Sequence, residues 1–331
     1  MDAIRRILIA VKNPDRRAQR GVQKALRIAK RLGASVELFH AISDPVFLEL
    51  EPLTGRTVAE IKQEALQLRQ ARLERIASLA RKNGHKVTSH VAWDFPPHEA
   101  IERRAATIRA DLIIAECHEG RRLKPWLMHL TDWELLRVST RPVLLLKNQR
   151  DWRGPVVLGA VDPSHVHAKP GQLDNIIVEQ GAGLSRALRG RFELMHANFP
   201  ADFALRMADP AVDAATLDVI YKSMMARSKA EFESFAAKAR VPKARRHLIG
   251  TEPEFAIPHL ARKLSADVVV MGAVSRSGLK RVFIGNTAER ILEKLPCDVL
   301  VVKPGHFPRR VQRVPRGMRL VPPQPLMPLP V

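Results

Sequence analysis

Hydrophobic and polar positions alternate in blocks along the chain. Short strand-like segments, several with a continuously apolar centre, recur at Ile4–Val11, Ser35–Ala41, Lys86–Trp93, Asp111–Glu116 and Pro142–Lys147. A second set follows at Val156–Asp162, Arg191–Ala197, Ala244–Ile249, Asp267–Gly272 and Asp298–Lys303. Runs of this length without alternation suit strands buried on both faces. Between them lie stretches of helical period, near 15–32, 57–83, 97–109 and 127–139, then near 172–189, 211–239, 253–265 and 286–295. In the long helix of the first set the period places Val58, Ile61, Ala65, Leu68, Ile76 and Leu79 on one inward stripe. In the second, Leu217, Ile220, Met224, Ser228, Phe232 and Phe235 form the corresponding stripe. Thr251 and Glu254 are spaced as a capping box, with Pro253 in the first turn. Strands alternating with helices predict an α/β fold with a parallel sheet covered on both faces.

The two sets are copies. Asp111–Lys147 aligns without a gap on Asp267–Lys303, Ile7–Val11 matches Val157–Val161, and Val36–Ala41 matches Phe192–Ala197. A repeat of this size marks a duplicated domain. The boundaries follow: 1–149 for the first repeat, 153–304 for the second, and a Pro- and Arg-rich tail, 305–331, expected to be disordered. The last strands, Val143–Leu146 and Val299–Val302, are apolar edges that need covering.

Composition adds three constraints. The 331 residues carry a net charge of +21, the first repeat being the more basic. A nucleic-acid-associated protein is therefore an alternative reading. No apolar run is long enough for a membrane span. Cys117 and Cys297 occupy non-equivalent places in the repeats, which points to reduced thiols and a cytoplasmic location.

In an open parallel sheet a ligand sits beyond the strand C-termini. In the second repeat Met271-Gly272 ends the fourth strand, and a loop with Ser275, Gly278, Lys280 and Arg281 leads to Gly285-Asn286-Thr287-Ala288 at a helix start. Small residues and a helix N-terminus offer backbone N–H groups to an anion. Asp162, between Val161 and Pro163 after the first strand, can accept from a base amino group or a ribose hydroxyl. The segment GAVSRSGLKRVFIGNTAERILEKLPCDVLVVKP resembles the closing part of universal stress protein domains. Nucleotide-binding members of that family carry G-x2-G-x9-G-[ST] and an Asp ending the first strand. Two repeats with G-N-T-A-E in the second resemble the tandem, E-type members. The resemblance covers about 1–304 and leaves out the tail.

The resemblance implies two Rossmann-like (HUP-type) domains, each with a five-stranded parallel sheet of order 3-2-1-4-5. It implies an adenine nucleotide such as ATP, or another small ligand, in the second repeat. The residues that would hold it are Val161, Asp162, Pro163, Met271, Gly272, Ser275, Gly278, Gly285, Asn286, Thr287 and Ala288. Asp162, Gly272 and Gly285 match the motif, whereas Ser275 stands at the second Gly and Asn286 at Ser/Thr. The first repeat departs further: Lys12 and Asn13 replace the Asp, and Glu116, Glu119, His129, Leu130 and Asp132 occupy the places of Gly272, Ser275, Gly285, Asn286 and Ala288. Carboxylates there repel a triphosphate. The cluster Glu116, Cys117, His118, Glu119, His129 and Asp132 has the chemistry for a divalent metal but matches no strong metal signature, and surface and helix-capping roles are the expectation. No GxSxG, HExxH, GxxxxGK[ST] or CxxC occurs, nor SGGxDS or HxGH. The expectation is a non-enzymatic stress-survival protein, with resistance to DNA damage implied, that pairs its repeats as an internal pseudo-dimer and forms a homodimer. A slow ATP hydrolase is the other alternative.

Overall fold

The computed structural model describes residues 4–47, 55–117, 131–163, 172–197, 213–273, 286–305, 307–308 and 310–321. In chain order its first elements are β1 (Arg6–Ala10), α1 (Arg20–Leu32), β2 (Ser35–Ile42), β3 (Val46–Phe47), α2 (Val58–Lys82) and β4 (Val87–Trp93). Then come α3 (Pro97–Thr107), β5 (Leu112–Glu116), α4 (Thr131–Val138), β6 (Val143–Leu146), β7 (Val156–Val161), α5 (Leu173–Ala187) and β8 (Arg191–Ala197). The remainder are α6 (Ala214–Lys238), β9 (Arg246–Ile249), α7 (Pro253–Lys263), β10 (Val268–Gly272), α8 (Asn286–Lys294), β11 (Asp298–Val302) and β12 (Leu320–Val321).

These elements fall into two compact bodies. One gathers the described residues of 4–116, 131–139 and 310–321; the other holds Cys117 and the described residues of 140–308. In the first body the main strands run β4-β2-β1-β5, all parallel. In the second they run β6-β11-β10-β7-β8-β9, and only β6 is antiparallel to its neighbour. The two fifth strands thus pair, Leu144 opposite Leu300, and the apolar edge of each is covered by the other. This is an α/β fold with parallel-dominated sheets, as the apolar runs predict.

The strand interiors are sealed. Ile7, Leu8, Ile113 and Ile114 in one body, and Val157, Leu158, Val268 and Val269 in the other, have no exposed surface. Equivalent aspartates open the fourth strands. Asp111 accepts from the backbone N–H groups of Arg5 and Arg6 (2.8 and 2.9 Å), and Asp267 from that of Val156 (3.0 Å). Each thereby ties the fourth strand to the start of the first.

Three expectations need correcting. First, the inward stripe of α2 is Leu73, Ala77 and Ala80, whereas Leu68 and Leu79 are 48% and 58% exposed. Alanines pack closest to the sheet but carry little hydropathy, so the larger leucines misplace the stripe. On α6 only Phe232 and Ala236 are buried. Secondly, α7 has no Thr251 capping box. Its N-cap is Glu252, so Glu254 falls one position short of N3 and pairs with Arg290 instead (3.1 Å). The reciprocal box is at Thr57 and Glu60, opening α2.

The third correction concerns the tail. Residues 310–321 are laid along the first body. Val311 is buried, Leu320–Val321 pair in parallel with Val46–Phe47, and Arg319 stands over the Phe95 ring. The buried Asp94 carboxylate accepts from the backbone N–H groups of Arg316 (2.9 Å) and Gly317 (3.3 Å) and is paired with Arg103. Arg316 also reaches Glu99 at 2.6 Å. The strap's backbone N–H groups meet an acidic strand end, and one Arg316–Glu99 ion pair adds to that hold on a segment without apolar period.

Candidate functional site

The strand C-termini of the second body bring Val161, Asp162 and Pro163 beside Met271 and Gly272, because β7 and β10 are neighbours with Ala160 opposite Met271. Asn286, Thr287 and Ala288 open α8. Ser275, Gly278 and Gly285 lie outside the described residues, as do Lys280 and Arg281. His118, Glu119, His129 and Leu130 of the first repeat do so too.

Asp162 is held through its backbone, with a buried histidine beside its carboxylate. Its backbone N–H donates to the buried Asp174 carboxylate at 3.2 Å, and its Oδ1 lies 4.0 Å from His196 Nδ1. His196 is buried on β8. Its Nδ1 bonds the Val161 carbonyl (3.1 Å), which can only accept, so Nδ1 carries the proton and Nε2 accepts from the Ser228 hydroxyl (2.9 Å). The run Asp162–His196–Ser228 contains the residue types of a nucleophilic triad. At 4.0 Å, however, the carboxylate is beyond hydrogen-bond range of the imidazole, which is instead locked to the backbone. The arrangement orients the strand end that bears Asp162.

The first body keeps the histidine and changes the rest. His40, the repeat equivalent of His196, bonds the Val11 carbonyl through Nδ1 at 2.8 Å. Where Asp162 would stand is Lys12, whose Nζ pairs with Asp132 at 2.8 Å. Asp132 is buried at the start of α4. The cation at the strand end and the anion at the helix start thus neutralise each other, and the polar positions are used up internally. The His pair was legible, since Val36–Ala41 and Phe192–Ala197 align with His40 on His196. So was a buried glutamate pair: Glu37 takes Arg104 in a two-point bridge (2.6 and 2.9 Å), and Glu193 takes His247 (3.0 Å).

Gly272 has a packing duty. A Cβ there would lie 2.5 Å from Leu173 Cδ2, and Leu173 is fully buried in the first turn of α5. In the first body the sizes are exchanged: Glu116 ends the strand, and Gly21 on α1 makes room for its carboxyl group (2.7 Å from an added Cβ). Gly272→Ala is therefore expected to cost about 1–3 kcal/mol by overpacking, and Leu173→Ala in the same chain should recover part of it. Urea unfolding of the three variants checks this. Equal stability of Gly272→Ala and the parent would show that the glycine is not held by packing.

Burial lowers the pKa of His40, His90 and His98 of the first body, and of the more exposed His85. The folded state then binds fewer protons than the unfolded chain below the ordinary histidine pKa of about 6.5. Stability from these groups is complete above that pH and is lost as pH falls towards the folded values. Melting temperature should fall between pH 7 and pH 5, and less steeply in His40→Gln. A flat profile, or an unchanged slope in the variant, would count against this. Cys117 and Cys297 are thiols rather than a disulfide, and burial pushes the Cys297 thiol up to about 12. Among the described residues no three His, Cys, Asp or Glu side chains are grouped to hold a metal, and no helix is long and apolar enough to cross a membrane.

The fold and its duplication define a tandem α/β protein with parallel-dominated sheets. The sequence profile of the universal stress protein family matches residues 3–147 and 175–303, and the chain belongs to that family. It is similar to universal stress protein E of Salmonella typhi, 27% identical over 310 residues that span 92% of this chain and 96% of that protein. The Escherichia coli K12 protein of the same name is 26% identical over the same shares. A Pseudomonas aeruginosa UCBPP-PA14 protein, solved as a universal stress protein, superposes with a TM-score of 0.69 at 25% identity, covering 92% of this chain and 94% of that one. Family and relatives support a role in the stress response.

Proposed function

We propose that the protein acts in stress survival, including survival of DNA damage, as a non-enzymatic cytoplasmic binder of an adenine nucleotide or similar small ligand. The ligand occupies the second repeat, 153–304; the first repeat, 1–149, serves protein contacts, within an internal pseudo-dimer of the repeats and a homodimer of the chain. One observation carries this reading. The strand-end charge of the first repeat is consumed by the Lys12–Asp132 pair, whereas Asp162 at the matching end of the second is oriented through Val161 and His196. Gly285, Asn286 and Thr287 would offer N–H donors to phosphate, with Lys280 and Arg281 adding charge. Ser275 stands where the family motif has a glycine and weakens the site.

Calorimetric titration with ATP tests the reading. The parent chain is expected to bind weakly, Ser275→Gly about tenfold more tightly (about 1.4 kcal/mol), and Gly285→Asp not at all, through bulk and like charge. Asp162→Ala should also weaken binding, while Lys12→Ala should leave it unchanged. If neither the parent nor Ser275→Gly binds, the second repeat is not a nucleotide site and a scaffolding role replaces this one.

A further inference from the structure

The first body contains a cavity of about 600 Å³ between the segment leading into α1, α1 itself and the C-terminal half of α2. That volume is in the range of small-molecule sites, roughly 300–1,000 Å³. Its floor is aliphatic, built from Val22, Leu26 and Ile76, and among the described residues no Phe, Tyr or Trp lines it. Its rim is cationic. Arg16, Arg17 and Arg75 border the cavity, and among the described residues none of the three has a carboxylate partner. Among the described residues Asp15 is the one acid in the lining, and it is already shared by Arg69 and Arg72. The charge of this wall is therefore not balanced from within.

We propose that this cavity is a second ligand site, for an amphiphilic organic anion: a carboxylate or phosphate head bearing an aliphatic body. Guanidinium forks match such heads in two-point geometry. The aliphatic floor removes alkyl surface from water, and each buried methylene adds to affinity. An inorganic anion would use only the rim and a neutral alkane only the floor, so both parts are needed for affinity. The site uses none of Asp162, Gly272 or the α8 start, and stands or falls independently of nucleotide binding.

The test is titration of the full chain with decyl phosphate and decanoate below their micelle concentrations, with decanol and inorganic phosphate as the two half-ligands. Both amphiphiles should bind, and each half-ligand at least tenfold more weakly. Arg17→Glu combined with Arg75→Glu changes two exposed side chains and should preserve the melting temperature while weakening decyl phosphate at least tenfold. Arg17→Gln with Arg75→Gln should fall between. Hydrogen exchange with ligand bound should slow in 20–27 and 72–80. The proposal is overturned if neither amphiphile binds, if inorganic phosphate binds as well as decyl phosphate, or if the charge reversal changes affinity less than twofold. It is also overturned if the chain adsorbs to phosphatidylglycerol vesicles but takes up no monomeric amphiphile, which would make the basic wall a membrane-surface patch.

Discussion

Deleting residues 310–331 is expected to destabilise the first body by about 2 kcal/mol, the sum of opposing contributions. Losing the buried Val311 removes about 1.5–3 kcal/mol of apolar burial. Losing the Arg316 and Gly317 N–H groups takes two of the donors from Asp94, and hydrogen bonds to a charged group contribute about 1.5–3 kcal/mol. Against this, the freed chain regains the conformational entropy of the residues that the body fixes, so the net loss is smaller than those contacts alone would give. Gly317 is central to the geometry: with φ at 76° it turns the strap so that its N–H meets Asp94 and its carbonyl accepts from Phe95 (3.2 Å). A shift of a few degrees per kcal/mol places the melting temperature roughly 5 °C lower. Gly317→Val, strained at positive φ, should reproduce part of the loss. An unchanged melting temperature for both would show that the strap rests on the body without stabilising it.

The strap also shows where sequence reasoning stops. The apolar strands were legible because burial on both faces demands continuous Val, Ile and Leu. The repeat was legible because two copies of one core obey the same demand. The strap is held mainly by its backbone: N–H groups to Asp94, a two-residue ladder with β3, a carbonyl to Phe95. Such bonds leave no residue pattern, and the Pro- and Arg-rich composition points the opposite way. Gly272 is a different failure. Its motif spacing points to phosphate, while its neighbour Leu173 lies 99 positions away along the chain and meets it only through the fold. Conversely, Lys12 and Asp132 were each read as departures from the nucleotide motif. Only the structure shows that they answer one another.

Asp298→Ala is expected to be the most damaging single substitution, costing about 3 kcal/mol or more. Asp298 has no exposed surface. Its Oδ1 accepts from the backbone N–H groups of Lys147 (2.8 Å) and Asn148 (3.3 Å), and its Oδ2 from Trp152 Nε1 (2.9 Å). The carboxylate therefore pins the connection between β6 and β7 to the start of β11, beside the antiparallel β6–β11 pair. The first repeat has Pro142 at the equivalent place, so the device is not a property of the duplicated fold. Alanine would leave the buried indole N–H and the N–H of Lys147 without these acceptors, each a penalty of about 1–3 kcal/mol. An asparagine side chain would keep one acceptor oxygen but turn an NH₂ towards a donor. Asp298→Asn should thus recover less than half of the loss, because two donors cannot satisfy each other. Lys147 adds a second tie at the same place, its Nζ bonding the Leu295 carbonyl at the end of α8 (2.7 Å). Urea unfolding followed by tryptophan fluorescence measures both variants. A cost under about 1 kcal/mol for Asp298→Ala would mean that the connection is held by packing around Trp152, and that the carboxylate is dispensable.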